Sequence, residues 1–176
     1  MTLREFAEGV IIFVQNNQQW APPIVFLVAL GESLAFLSLI LPGTAILAAA
    51  STMIGASSIS IWPVWFAAGF GGALGYSLSY WIGLYFKDSV PNIWPFKSNP
   101  QLLERGHAFF DKWGALGVFF GHFFGPVRAV IPVVAGMVAM RQIPFQIANI
   151  SSAFLWSLGV LAPGVFGAQW LRDWLG

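Results

Sequence analysis

The stretch "GHFFGPVRAVIPVVAGM", Gly121 to Met137, is apolar except for His122 and Arg128, and it is interrupted by Gly125-Pro126 and by Pro132. A smooth membrane helix has no reason to combine a permanent cation with backbone breaks. A broken helix at membrane depth does. The breaks free N–H and C=O groups that must find partners in protein or water, and proline removes a donor while clashing with the preceding turn. An arginine there needs an anion beside it, because a charge near a helix centre costs about 2.5–3.5 kcal/mol on insertion scales.

The surroundings of that stretch fit a membrane interior. Of 176 residues, 57% are hydrophobic and 9% charged, against about 25% charged in an average soluble domain. From Pro22 to Phe86 the only formal charge is Glu32, and from Gln142 to Leu171 there is none. Both runs exceed the roughly 20 apolar residues that span a bilayer. The chain is expected to be an all-α, multi-pass integral membrane protein forming a single domain over residues 1–176.

Four hydrophobic regions organise it. The first, 24–56, is too long for one helix and is cut at Leu41-Pro42-Gly43, a pattern expected of a re-entrant hairpin. The second, 61–86, is expected to be a transmembrane helix; Ala67, Gly71, Gly75, Ser79 and Gly83 recur on it at a spacing that lets helices approach closely in lipid. A polar loop, 87–112, contains a helix capped by Ser98 or Asn99 with Pro100 in its first turn. The third region, 114–140, repeats the broken pattern as a second re-entrant hairpin. The fourth, 143–171, is a second transmembrane helix with a candidate kink at Pro163-Gly164.

The order of broken segment and crossing thus occurs twice. Placing Ile61-Trp62-Pro63 on Gln142-Ile143-Pro144 brings Pro42-Gly43 within two residues of Gly125-Pro126. Two such halves must have opposite topology, and inverted repeats with broken helices meeting near the midplane mark transporters. The first twenty residues carry Glu5 and Glu8 in a would-be basic end and a short apolar core. They are expected to form an amphipathic interfacial helix anchored near Trp20, rather than a cleaved signal. Lys87, Lys97, Arg105, Lys112 and Arg141 would share one side, placed in the cytoplasm by the positive-inside rule, with Arg4 and Arg172 opposite.

Several classes are disfavoured. A net charge of +1 gives no basic footprint for nucleic acid. The absence of cysteine excludes disulfides and thiolate metal sites. No HExxH, no clustered carboxylates and no GxSxG leave neither a nucleophile nor a metal constellation, so no enzyme activity, cofactor or metal is expected.

Glu32 and Arg128 are the charges inside the apolar segments. As a structural ion pair, one on each hairpin, they would lock the halves together. As a functional site, Arg128 would bind an anion with its planar fork, helped by free backbone N–H groups at the broken ends near Gly43 and Gly125. Glu32 would then couple binding to protons, since its charge state depends on burial and on the arginine. His122 lies six residues before Arg128, nearly opposite on a continuous helix but within reach across a break. It is either a proton sensor or a histidine hydrogen-bonded within the fold.

"GESLAFLSLILPGTAIL", Gly31–Leu47, followed by "FFGHFFGPVRAVIPVVAGMVAMRQIPF", Phe119–Phe145, resembles the DedA family of bacterial membrane proteins. The glutamate before Pro-Gly, the G-P-x-R segment, the P-x-x-A-G-M stretch and the later aromatic fall in the family's order. The resemblance implies two opposed re-entrant hairpins, a fold shared with eukaryotic lipid scramblases. It implies transport of undecaprenyl phosphate or phospholipids across the bacterial cytoplasmic (inner) membrane, often dependent on the proton gradient. Glu32 matches the family's glutamate and Arg128 its second arginine. Thr44 stands where members commonly have an acid, and His122 where they commonly have arginine. Thr44 is expected to bind phosphate or to cap the following half-helix.

The expected function is therefore a proton-coupled transporter of a phosphate-bearing lipid. Arg128, Thr44, Gly43 and Gly125 would bind substrate, and Glu32 and His122 would handle the proton. The alternatives are a proton-coupled carrier of a small soluble anion and a non-transporting membrane assembly factor. Homo-oligomerisation stays open, because the small-residue stripe serves packing within a chain or between chains.

Overall fold

A computed structural model of the chain describes residues 9, 17–35, 37, 43–56, 60–89, 97, 101–124 and 128–175. Among these residues every regular element is helical. A 3-10 turn, Gln18–Trp20, leads into α1 (Ala21–Ser33), and α2 (Gly43–Ala56) and α3 (Ile61–Phe86) follow. Then come α4 (Gln101–Gly121), α5 (Ile131–Met137) and α6 (Gln142–Leu175). The expected interfacial helix of residues 1–20 lies outside the described residues except at Gly9 and 17–20, as do Ser98–Pro100, Leu41-Pro42 and Gly125-Pro126.

Proline places the helix starts. Pro22 and Pro23 open α1 and Pro132 opens α5, where the missing N–H would have had no helical partner anyway. Pro163 is different: it sits inside α6, which runs 34 residues through the candidate kink as one helix. Gly114 breaks α4 with φ 47° and ψ −127°, a conformation open to glycine because it lacks Cβ. The residues before Gly114 form a largely exposed arm, and those after it run inward to His122.

α3 and α6 form the centre and run antiparallel. Trp65 Nε1 donates to Phe154 O at 3.1 Å, Asn149 Nδ2 to Ala73 O at 2.9 Å, and Tyr80 Oη to Met140 O at 2.6 Å. The shorter helices pack on this pair in a reciprocal way. α1 lies on α3 and the inner part of α4 on α6, while α2 crosses to α6 and α5 crosses to α3. Each half therefore lays its first arm on its own long helix and its second arm on the other's.

Small residues permit that approach. A methyl group added at Gly71 or Gly75 would strike the backbone of α1, and one at Gly83 the carbonyl of Val133 on α5. Gly136 of α5 is pressed in return against Tyr80 and Gly83. The α3 stripe is thus used for contacts within the chain.

Two apolar clusters lie at opposite ends of the central pair. One gathers Val25, Leu47, Ile54, Val64, Leu161 and Val165; the other gathers Tyr80, Val118, Ile131, Ala135 and Phe145. The outer surface is also apolar: Trp62 is 63% exposed, Ile143 74% and Trp174 72%. Large apolar patches of this kind mark a surface that something other than water covers. By length and composition, one helix among the described residues, Gln142–Ala168, is long and apolar enough to cross a membrane.

Candidate functional site

Between the two apolar clusters the interior is polar. Glu32 is 5% exposed, Arg128 4% and His122 not at all. Buried charge on this scale persists only when it is paired.

Glu32 and Ser33 end α1. Leu34 turns extended, its N–H reaching back to Leu30 and Gly31 carbonyls. Ser79 of α3 fixes this end: its hydroxyl donates to Gly75 O at 2.9 Å, lies 3.3 Å from Ser33 O and accepts from the Ala35 N–H at 2.9 Å. The Glu32 carboxylate points at the start of α2. There the Thr44 hydroxyl donates to Oε1, and Gly43 lies so close that an added Cβ would meet Oε2 at 2.5 Å. A carboxylate at a helix N-terminus is stabilised by the free N–H groups and the dipole of that helix. The start of α2 thus closes on Glu32, and Thr44 binds this carboxylate.

Arg128 arrives from the other half. Nη1 donates to Glu32 Oε1 at 3.2 Å and Nη2 to Ser33 Oγ at 2.9 Å. The guanidinium lies over the Trp156 ring of α6, its carbon 4.1 Å from the centroid, a cation–π contact that strengthens when water is excluded. Nε of Arg128 and Oε2 of Glu32 have no hydrogen-bond partner among the described residues. The pair is joined without being saturated.

His122 follows the last residue of α4, beside this group. Its ring stacks on Tyr76 at 4.3 Å and 27° and meets the same Trp156 ring at 5.8 Å. Nδ1 lies 3.2 Å from Ser152 Oγ, while Nε2 and the buried Tyr76 hydroxyl are unpartnered. Among the described residues no group of three or more His, Asp or Glu side chains is placed to hold a metal.

The sequence-derived candidates Glu32, Arg128, Gly43 and His122 therefore converge in the interior, Thr44 reaches Glu32 from an exposed position at the start of α2, and Gly125 lies outside the described residues. Four participants carried no expectation: Ser33, Tyr76, Ser152 and Trp156. Tyr76 and Trp156 did leave a signal, since each sits in the middle of a long apolar run and away from the ends where aromatic belts are found.

A VTT domain profile matches residues 41–166. The chain is 35% identical over 153 residues to the uncharacterized membrane protein BU139 of Buchnera aphidicola subsp. Acyrthosiphon pisum, covering 87% of this chain and 60% of that protein. It is 34% identical over 154 residues to the inner membrane protein YabI of Escherichia coli, with the same coverage of 87% and 60%. An uncharacterized membrane protein of Mycobacterium tuberculosis, Rv2637, is 26% identical over 170 residues, 92% of this chain and 78% of that protein. The chain thus spans only 60% of the length of the first two relatives. No solved structure matches.

Proposed function

The chain belongs to the DedA family of VTT-domain membrane proteins, and on that premise we propose that it carries a phosphate-bearing lipid across the bacterial cytoplasmic membrane, coupled to protons. Undecaprenyl phosphate and phospholipids share the group that the site would hold. The observation that carries this proposal is the state of Arg128: buried, oriented on Trp156, and bridged to Glu32 and Ser33 with Nε left over. A guanidinium presents a planar fork matched to phosphate oxygens.

In this mechanism the headgroup phosphate displaces Glu32 from the Arg128 fork. Glu32 keeps the Thr44 hydroxyl and the start of α2, so its carboxyl is not stranded when the arginine turns to substrate. Protonation of Glu32 weakens its hold on Arg128 and favours the phosphate; deprotonation returns the arginine to it and releases the lipid. The acyl or prenyl tail stays in the bilayer against the apolar exterior. No chemical step is required. The two halves, read as inverted re-entrant hairpins each followed by a crossing, would rock around this centre.

The test is reconstitution into liposomes, following transbilayer movement of undecaprenyl phosphate and of a phospholipid with and without a pH gradient. Wild type should move one of them faster in the gradient, and Arg128→Ala should not. Movement of neither lipid by folded wild-type protein refutes the proposal and favours a small-anion carrier or an assembly factor.

A further inference from the structure

His122 does not touch Glu32 or the arginine fork directly, yet it shares the Trp156 ring with Arg128 and is completely buried. Its two nitrogens are in different situations. Nδ1 faces Ser152 Oγ at 3.2 Å, and Nε2 faces no partner among the described residues.

Ser152 decides what each nitrogen carries. Its hydroxyl has one proton, and Asn149 O, one turn earlier on α6, accepts it at 3.1 Å. A serine donating there meets the imidazole with its lone pairs, an arrangement that favours the proton on Nδ1. Neutral imidazole has only one N–H, and Nε2 is left as a bare acceptor. The opposite tautomer would bury an N–H with no acceptor among the described residues, and unmet buried N–H groups are rare in folded proteins.

From this we infer that Ser152 holds His122 as the Nδ1–H tautomer, so that Nε2 becomes a donor to the lipid phosphate only when the imidazole takes up a proton. Ser152 is a positioning residue, and the coupled proton rides on His122 rather than on Glu32 alone. The inference rests on the phosphate site proposed above.

Charges around the ring make proton and phosphate arrive together. Arg128 opposes a second cation beside it, and a bound phosphate offsets that repulsion. Tyr76 of α3 faces the ring as a phenol, and Glu32 of α1 acts through its contact with Arg128. α6 brings the uncharged Ser152 and Trp156, while α2 and α5 contain no titratable side chain. Each ligand therefore raises the affinity for the other by the same factor, as linkage requires.

The experiment starts from nitrogen NMR of histidine-labelled protein in detergent, purified through a histidine-free tag. His107→Gln leaves His122 as the single histidine of the two. Neutral wild-type His122 should show the Nδ1–H tautomer, Ser152→Ala a mixture, and Ser152→Thr, which keeps the hydroxyl, the wild-type pattern.

Binding is then measured with dihexanoyl phosphatidylglycerol, whose phosphodiester keeps its charge across neutral pH, and with dodecyl phosphate to tell a monoester headgroup from a diester. Wild-type affinity for the diester should rise about tenfold or more as the pH falls from about 8 to about 5.5, because proton and phosphate favour each other's binding. In Ser152→Ala that rise should shrink to about threefold or less, because Nε2–H is already available in the neutral ring. An Nε2–H tautomer in wild type, or an unchanged pH dependence in Ser152→Ala, overturns the inference and leaves the phosphate site standing. Binding of neither probe at any pH overturns both, and the histidine signals show whether the protein was folded when it failed.

Discussion

Trp156 lies beneath Arg128, with the guanidinium carbon 4.1 Å from the centre of its ring. The tryptophan gives the cation a fixed plane without neutralising it. Hydrogen bonds to Glu32 and Ser33 set its in-plane direction, so the oxyanion proposed as its ligand would meet an arginine already oriented and need not order a flexible side chain.

Trp156→Leu should remove that support. The lost cation–π contact and the space left by the ring together should cost about 3–5 kcal/mol. Trp156→Phe keeps a smaller π-face and should cost about half as much. Thermal unfolding in detergent checks the order, wild type above Phe above Leu. The Phe variant should still move lipid, more slowly than wild type.

The Glu32–Arg128 pair separates structure from transport. Arg128→Gln alone leaves a buried carboxylate without its cation and should destabilise by about 3–5 kcal/mol. Adding Glu32→Gln should recover most of that loss, because two neutral amides replace two charges. Transport should stay absent in the double variant. Full transport by it would reduce the pair to a lock between the halves.

Thr44 is expected to act through Glu32. Thr44→Val removes a donor to a buried charged group and should cost about 1.5–3 kcal/mol, while Thr44→Ser keeps the hydroxyl and should be nearly neutral. Urea unfolding midpoints in mixed micelles distinguish the two. A loss from Ser with none from Val would mean that the methyl group, not the hydroxyl, matters.

Gly83 and Gly136 test the α3–α5 approach. A side chain at either meets backbone of the opposite helix, which cannot move aside as a side-chain tip can. Gly83→Leu and Gly136→Leu should abolish monodisperse protein on size-exclusion chromatography. Gly159 has open space around its Cβ direction, so Gly159→Ala should be tolerated and gain up to about 1 kcal/mol of helix propensity.

Much of the helix pattern was legible because proline and charge punctuate an otherwise apolar chain. The helix over 61–86 starts with Pro63 in its first turn and stops at Lys87. Glu32 and Arg128 stood out because nothing else near them is charged. Pro163, the candidate kink, lies within one continuous helix, where proline is tolerated if neighbours satisfy the freed carbonyl.

Trp156 and Tyr76 stood out by their mid-segment positions alone, and their part in the site was not legible. With 17 phenylalanines and 9 tryptophans in the chain, an inward-facing ring looks like a lipid-facing one. The contact of Ser152 with His122 joins helices 30 residues apart, and no local pattern encodes it.

The reciprocal packing has a consequence for biogenesis. α2 is completed by α6, whose Val165 and Gly164 close on Gly55 and Ser51. At about 5–20 residues per second, synthesis of the intervening chain takes on the order of ten seconds. Throughout that interval the α2 face carrying Ser51 and Gly55 waits in the bilayer without its seat. Insertase and quality-control factors meet the protein in this unfinished form, so slowing elongation between α3 and α6 should lengthen its exposure to membrane proteolysis without altering a single contact of the finished fold.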